Sequence, residues 1–177
     1  KKFGFKKVGK NVMIAKNCTI IGLKNISLGN NVRIDSNVVI AANSGYLKLE
    51  NYIHIGAGCY LGCGGGIAFS NFSGLSQGVH IYSASEDYSG KSLTNPTLPK
   101  KYRNIKSAPV FLKKHTIVGA GSVILPGVSI GKGTSVGALS FVHLSLDEWS
   151  VYFGSPIQKV NRRLDKLLVL EKKFKKK

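Results

Sequence analysis

The 177-residue chain carries 26 lysines and arginines against 8 aspartates and glutamates, a formal net charge of +18, with 21 glycines and 43% hydrophobic residues. That length suits a single domain. No run approaches the length of a membrane-spanning helix, and the lysine-rich start lacks an apolar signal core, so neither a membrane span nor a secretion signal is expected.

In chain order the first regular feature is a six-residue period: Val8, Ile14 and Ile20, then, after a two-residue slip, Leu28, Ile34 and Ile40. The words Leu28–Arg33 and Ile34–Val39 match almost position by position. The period resumes at Leu49, Ile55 and Leu61, then at Phe69, Leu75 and Ile81. A long interruption follows between Ser83 and Pro109. From there Leu112, Val118, Ile124, Ile130, Val136 and Val142 keep the phase without a break, with Gly119, Gly131 and Gly137 after three of them. A period of six fits neither an α-helix nor plain strand alternation. It fits a solenoid of short strands in which one side chain per word points into a narrow core, and three words close a triangular coil. Glycine, and asparagine at Asn17, Asn31, Asn37 and Asn43, suit corners that need a left-handed backbone. Beyond the last word, Val160, Leu164, Leu167, Leu168 and Phe174 recur at helical spacing among nine lysines and arginines, predicting a basic amphipathic helix over the tail from Ile157.

Three cysteines, Cys18, Cys59 and Cys63, make no even disulfide framework, and reduced thiols point to the cytoplasm. Cys18 and Cys59 fall at inward positions and read as buried small apolar residues; Cys63, among glycines, reads as an accessible thiol. A Cys-x3-Cys pair with no histidine at ligand spacing argues against zinc. So do the separations of 26, 35 and 28 residues between His54, His80, His115 and His143. His115 reads as a solvated corner, and His54 and His80 as outward residues on prism sides.

The hexapeptide words, the single long loop, the stretch Ile117–Val128 and the ending Tyr152-Phe153-Gly154-Ser155-Pro156-Ile157 together resemble the left-handed β-helix, or hexapeptide-repeat, acyltransferases. The loop segment Ile81–Gly90, followed by Thr94-Asn95-Pro96, is similar to the branch that N-acetylates nucleotide-linked amino-deoxy sugars for bacterial surface polysaccharides, lipopolysaccharide O-antigen among them. The resemblance implies an all-β, left-handed parallel β-helix over residues 1–155, with a protruding loop at 83–109, and a basic C-terminal helix or tail over 156–177. It further implies a homotrimer, acetyl-coenzyme A as co-substrate, and an acceptor pocket under the loop between neighbouring prisms.

Galactoside-type relatives place a basic histidine in the loop; here Glu86 stands near that position. Glu86, Asp87 and His80 are therefore the candidates for handling the acceptor's proton, and Tyr82, Ser85, Tyr88 and Asn95 for binding it. An amine depends less on a base than a sugar hydroxyl does, so N-acetylation is favoured over galactoside- or maltose-type O-acetylation. Coenzyme A is expected along Ala120, Gly121, Ser122, Gly137 and Ala138, its phosphates near Lys159, Arg162 and Arg163. No metal is expected. The basic tail admits three readings: a solvated terminal helix whose lysines favour its C-terminal dipole end, attraction of anionic substrates, and weak association with an anionic membrane surface. A non-enzymatic nucleic-acid binder is the different-class reading, but no reader motif and no aromatic–basic interleaving support one.

Overall fold

The computed structural model describes residues 3–176, so Lys1, Lys2 and the Lys177 end of the predicted tail lie outside the description. The hexapeptide words become short strands stacked in parallel on three flat faces, which makes the domain an all-β parallel solenoid. The first face runs through Lys7–Val8, Ile26–Leu28, Leu47–Leu49, Ile67–Phe69, Val110–Leu112 and Ser129–Ile130. The third runs through Thr19–Ile21, Val39–Ala41, Tyr60–Gly62, His80–Tyr82, Val123–Ile124 and Phe141–Val142. The second holds Val12–Ile14, Val32–Ile34, Ile53–Ile55, Gly74–Leu75, Ile117–Val118 and Ser135–Val136, and then continues through Ser150–Phe153.

Strand register explains the period. Leu28, Leu49, Phe69, Leu112 and Ile130 lie directly above one another on the first face, each at most 2% exposed, and the other two faces stack their inward residues in the same way. One continuous apolar column results. Each such side chain contributes about 1.5–3 kcal/mol by leaving water. The first coil is the open end, and there Ile14 is partly exposed despite its inward phase.

Two corners are tight and carry one left-handed residue per coil. Asn17, Asn37, Gly58, Gly78, Gly121 and Leu139 turn the second face into the third, with φ between 56° and 69°. Asn11, Asn31, Tyr52, Phe72, His115, Gly133 and Trp149 turn the first into the second. Asn43 has no positive φ, contrary to the sequence expectation, because its corner is a wider one that turns without a left-handed residue there. At the corner between the first and second faces aromatic rings stand where asparagine would be easier. Their stacking offsets the backbone cost: Tyr52 on Phe72 at 4.7 Å, Phe72 on His115 at 5.2 Å. His115 is thereby buried, not a solvated corner.

The slips in the period all fall at the third corner, which in successive coils carries the extra residues around Leu23–Asn25, Asn43–Gly45 and Gly64–Gly66. The long interruption leaves from that same corner. Ser83 anchors its start, its hydroxyl donating to Gly62 O at 2.7 Å and accepting from Gly65 N at 3.0 Å. Ala84–Ser85 then pairs antiparallel with Lys106–Ser107 to form a ribbon standing off the prism.

The tail departs from the expectation of a single helix beginning at Ile157. Gln158–Arg162 is a strand, antiparallel to Ser150–Phe153, because the last strand of the second face offers an open edge whose backbone groups need partners. The helix α1 is confined to Leu167–Phe174. It folds back over the aromatic corner, with Phe174 edge-on to Tyr52 at 5.3 Å.

Candidate active site

The ribbon and the upper coils of the third face enclose a cleft of about 1180 Å³. Its floor follows from register. Residues just after the inward Ile81, Ile124 and Val142 share one outward column, which places Tyr82, Leu125 and His143 together, with Val123 and Phe141 beside them. Its wall is the loop, through Ser85 to Ser89 and Lys106 to Ala108.

Of the candidates for the acceptor side, Glu86, Asp87, Tyr82, Ser85 and Tyr88 all line this cleft. The two carboxylates are not free. Glu86 is ion-paired with Arg103 across the loop, and Arg103 is nearly buried, with 10% of its side chain exposed. Asp87 accepts from Ser89 N at 2.9 Å and from the Ser92 hydroxyl at 3.0 Å. The Ser89 backbone bond is the main cause that holds its carboxyl below the usual range. Tyr88 is almost fully exposed at the mouth. Ser85 donates its hydroxyl to Glu86 O. Asn95 stands apart from the lining: its Oδ1 accepts from the backbone N and the hydroxyl of Thr97, which builds an Asn-Pro turn at φ 122°.

His80 faces outward as expected, yet lies outside the lining, edge-on between Tyr60 at 6.0 Å and Tyr82 at 6.3 Å. His143 is the imidazole that does line the cleft, stacked on Phe141 at 5.5 Å. The sequence places His143 after the inward Val142, where it could meet coenzyme A or nothing, and does not single out Lys106 or Phe141. The signal was there: His143 and Tyr82 both follow an inward third-face residue, so stacking coils brings them onto one side.

The residues expected to meet the cofactor form the corner between the second and third faces. Close packing of coils accounts for the small ones: a side chain at Gly137 would strike Phe153, and one at Gly121 would strike Leu139. Ser122 is fully buried, its hydroxyl donating to Gly137 O at 3.0 Å and accepting from Ser140 N while its carbonyl accepts from His80 N, so it shapes the edge from within. Ala120 and Ala138 sit beside it on the same edge. Lys159 reaches Asp147 at 3.1 Å in the open, and Arg162 is exposed on the antiparallel strand. Arg163 is engaged: Nη1 donates to His115 O at 2.9 Å and Gly133 O at 3.0 Å, and burial lowers its proton affinity.

Cys63 is buried rather than accessible; its thiol donates to Leu61 O at 3.4 Å, and burial pushes it up to about 12. Cys59, also buried, is pushed up to about 11. Neither is a nucleophile near neutral pH. Among the described residues no group of three or more histidine, cysteine, aspartate or glutamate side chains is placed to hold a metal ion.

Residues 7–42 and 113–140 match the family described as hexapeptide repeat of succinyl-transferase. The chain is 42% identical over 175 residues to the dTDP-4-amino-4,6-dideoxy-D-glucose acyltransferase of Escherichia coli, covering 99% of this chain and 91% of that one. It superposes on AntD, an N-acyltransferase from Bacillus cereus solved with dTDP and 3-hydroxybutyryl-CoA, with a TM-score of 0.93. The two are 44% identical, over 99% of this chain and 92% of the other. A variant of AntD bound to dTDP-4-amino-4,6-dideoxyglucose and coenzyme A gives 0.94 at 43% identity, with the same coverage. A maltose O-acetyltransferase from Clostridium difficile, 18% identical over 93% of this chain and 73% of that one, shares the fold with a TM-score of 0.60. Full-length identity at this level, with the repeat and the loop cleft intact, makes the chain a member of the hexapeptide-repeat acyltransferase family.

Proposed function

We propose that this enzyme N-acylates a nucleotide-linked amino-deoxy sugar, dTDP-4-amino-4,6-dideoxyglucose or a near relative, using an acyl-coenzyme A of which acetyl-coenzyme A is the simplest. The observation that carries the reading is the cleft under the loop, whose two carboxylates are both engaged. Glu86 is held by Arg103, and Asp87 by Ser89 and Ser92. Neither loop carboxylate is free to act as the base, and an amine, nucleophilic once neutral, depends on one less than a sugar hydroxyl does. Similarity to a dTDP-amino-sugar acyltransferase, and to AntD bound to a dTDP-amino sugar and coenzyme A, supports the same substrate class.

In this reading Tyr82, Tyr88 and Phe141 provide apolar walls for the sugar and base, and Lys106 faces the diphosphate. Ser85 and, from the loop tip, Asn95 meet acceptor hydroxyls. Glu86 with Arg103 sets the loop's shape rather than acting as base, and His80 steadies Tyr82. Acyl-coenzyme A lies along the edge formed by Ala120, Gly121, Ser122, Gly137 and Ala138, with Lys159 and Arg162 near its phosphates; Arg163 holds the tail in place. The acceptor amine attacks the thioester carbonyl, the tetrahedral intermediate collapses, and coenzyme A leaves as the thiol.

The working assembly is a homotrimer in which the third face of one prism packs on the second face of the next. The third face presents Ile21, Val39, Tyr60, Val123 and Phe141 outward, while the first presents Lys7, Ser27, Lys48 and Ser129, with Phe111 as its large apolar residue. An apolar flat side supports burial against another copy. Both substrates belong to the cytoplasm, and the product would serve surface-polysaccharide or O-antigen synthesis. Exposed Leu164, Val169 and Leu170 among Lys166, Lys172 and Lys173 support weak association with an anionic bilayer; none of the described helices is long and apolar enough to cross one.

Thiol release from acetyl- and 3-hydroxybutyryl-coenzyme A tests the reading. The dTDP-linked amino sugar should accelerate it at least about a hundredfold over galactosides or maltose. Equal acceleration by the hydroxyl acceptors would remove the amine assignment.

A further inference from the structure

The second face carries a histidine–aspartate pair that lies outside the loop cleft. His54 Nε2 and Asp35 Oδ2 are 2.8 Å apart, and Arg33 Nε donates to Asp35 Oδ1 at 2.7 Å. The hydrogen bond from His54, and after it the one from Arg33, hold the Asp35 carboxyl below its ordinary range. An ionised Asp35 accepts from Nε2–H, which fixes the tautomer and leaves the Nδ1 lone pair free to take a proton.

The surroundings single this imidazole out. His54 is half-exposed and opens on a hollow of about 420 Å³ that Gln77, Thr116 and Ile117 also line. Thr116, 1% exposed, stands at its wall, and its buried Oγ1 is the side-chain polar atom that has no hydrogen-bond partner among the described residues. The other histidines are differently placed. His115 is buried against Glu171, His80 stands between tyrosines, and Nδ1 of His143 is turned to the Phe141 carbonyl at 3.5 Å.

Within one chain the second and third faces diverge from their common corner, so His54 cannot face its own loop cleft. Closed rotational symmetry places unlike faces together, and in the trimer proposed above the second face of one copy lies against the third face of the next. The heights nearly meet: His54 pairs with Gly74 of the next coil, the coil that also carries Tyr82, the lowest residue of the cleft floor, so His54 stands one coil, about 4.8 Å, below it. We infer that His54, oriented by Asp35, is the general base for the acceptor amine bound in the neighbouring subunit's cleft. The inference rests on the amino-sugar and trimer readings. Chemically, Nδ1 takes one proton from the attacking nitrogen as the C–N bond forms. The C–S bond then breaks, and the proton passes to the departing thiolate, giving amide and thiol with the imidazole restored.

His54→Gln should keep the fold and the sedimentation coefficient of the parent, and lose at least about a hundredfold in kcat with KM for the amino sugar within about threefold. Asp35→Asn should show the same split, smaller in size. Complementation then tests the contribution across subunits. Ser107→Trp fills the cleft from its own chain, so it and His54→Gln should each be inactive alone. Mixed one to one, the two variants should regain roughly a quarter of parental activity, since about three-quarters of trimers are mixed and each mixed trimer has one intact site. No recovery, or a His54→Gln enzyme with parental kcat, overturns the proposal.

If the parent enzyme itself ignores the dTDP-amino sugar, the substrate reading has failed and the placement is judged separately. His54→Cys/Ser107→Cys in a Cys18→Ser background, treated with a short bismaleimide, should then give covalent dimers and trimers on a denaturing gel. Exclusively monomeric, internally linked chains would overturn the placement.

Discussion

Glu86 shows how far a residue can be read without its partner. Its place under the loop was legible from the sequence, since the hexapeptide phase ends at Ile81 and the next acids must belong to the loop. Its role was not, because Arg103 lies seventeen residues on in an aperiodic stretch, and only the folded ribbon brings the two together. An arginine so little exposed has few alternatives to its carboxylate, and removing one partner strands the other. Arg103→Ala should therefore raise the acceptor KM at least about tenfold through loss of loop shape, with the acyl-coenzyme A KM changed less than about twofold. Glu86→Gln keeps a hydrogen-bond acceptor for Arg103, and should lower kcat by less than about fivefold; a hundredfold loss would make Glu86 the base after all. Steady-state kinetics with each substrate varied in turn reads both.

At the scale of elements, the C-terminal helix is fixed by one side chain. Glu171 is 8% exposed and accepts from Lys114 Nζ at 2.6 Å and His115 Nε2 at 2.7 Å, with Lys175 Nζ also at 2.6 Å. Burial by itself would raise its carboxyl, but the bonds from Lys114, Lys175 and His115 outweigh it and hold the group at about 2, against 4.5 when unperturbed. The folded form thus binds its proton less readily than the unfolded form. Its contribution is present above about pH 4.5 and is lost as pH falls towards 2. Burial also lowers the proton affinity of His115, more than its Glu171 contact raises it, so acidification below 6.5 works in the same direction. Glu171→Gln should cost about 1–2 kcal/mol near pH 7, seen as a lower Tm, and the gap to the parent should close as pH falls from 5 to 2. A gap independent of pH would mean that the packing of Phe174 on Tyr52 and Phe72, rather than the Glu171 carboxylate, holds the helix. The sequence pattern found this helix but began it too early. Val160 has helical spacing to Leu164, yet the open edge of Ser150–Phe153 turns Gln158–Arg162 into a strand, and an edge awaiting a partner leaves no mark on local periodicity.

At the scale of the whole molecule, the prism and the loop answer to different constraints, and this is why one was legible and the other only partly. A core one side chain wide repeats its demand at every word, so the inward positions from Leu28 to Val142 could be read directly. The cleft depends on which outward residues stack and on how the ribbon leans over them, and neither has a period. The third corner makes the separation testable. Where Ile124 passes to Ile130 that corner closes through Leu125–Val128 with no extra residues, and elsewhere it accommodates short insertions, so the solenoid does not need the loop to turn. Replacing Ser85–Ser107 by a short Gly-Asn linker should therefore leave the far-ultraviolet circular dichroism of a β-solenoid and lower Tm by no more than a few degrees, about 1 kcal/mol of lost loop contacts. Binding of coenzyme A at the edge from Ala120 to Ala138 should persist by calorimetry, while amino-sugar-dependent thiol release disappears. Leu112→Ala gives the opposite pattern: a cavity in a column one residue wide cannot be refilled from the side, so it should cost about 2–5 kcal/mol and unfold near physiological temperature, with the loop sequence untouched. If excision of the loop melts the prism as Leu112→Ala does, the ribbon is part of the core's support rather than an attachment to it, and the division between scaffold and acceptor site fails.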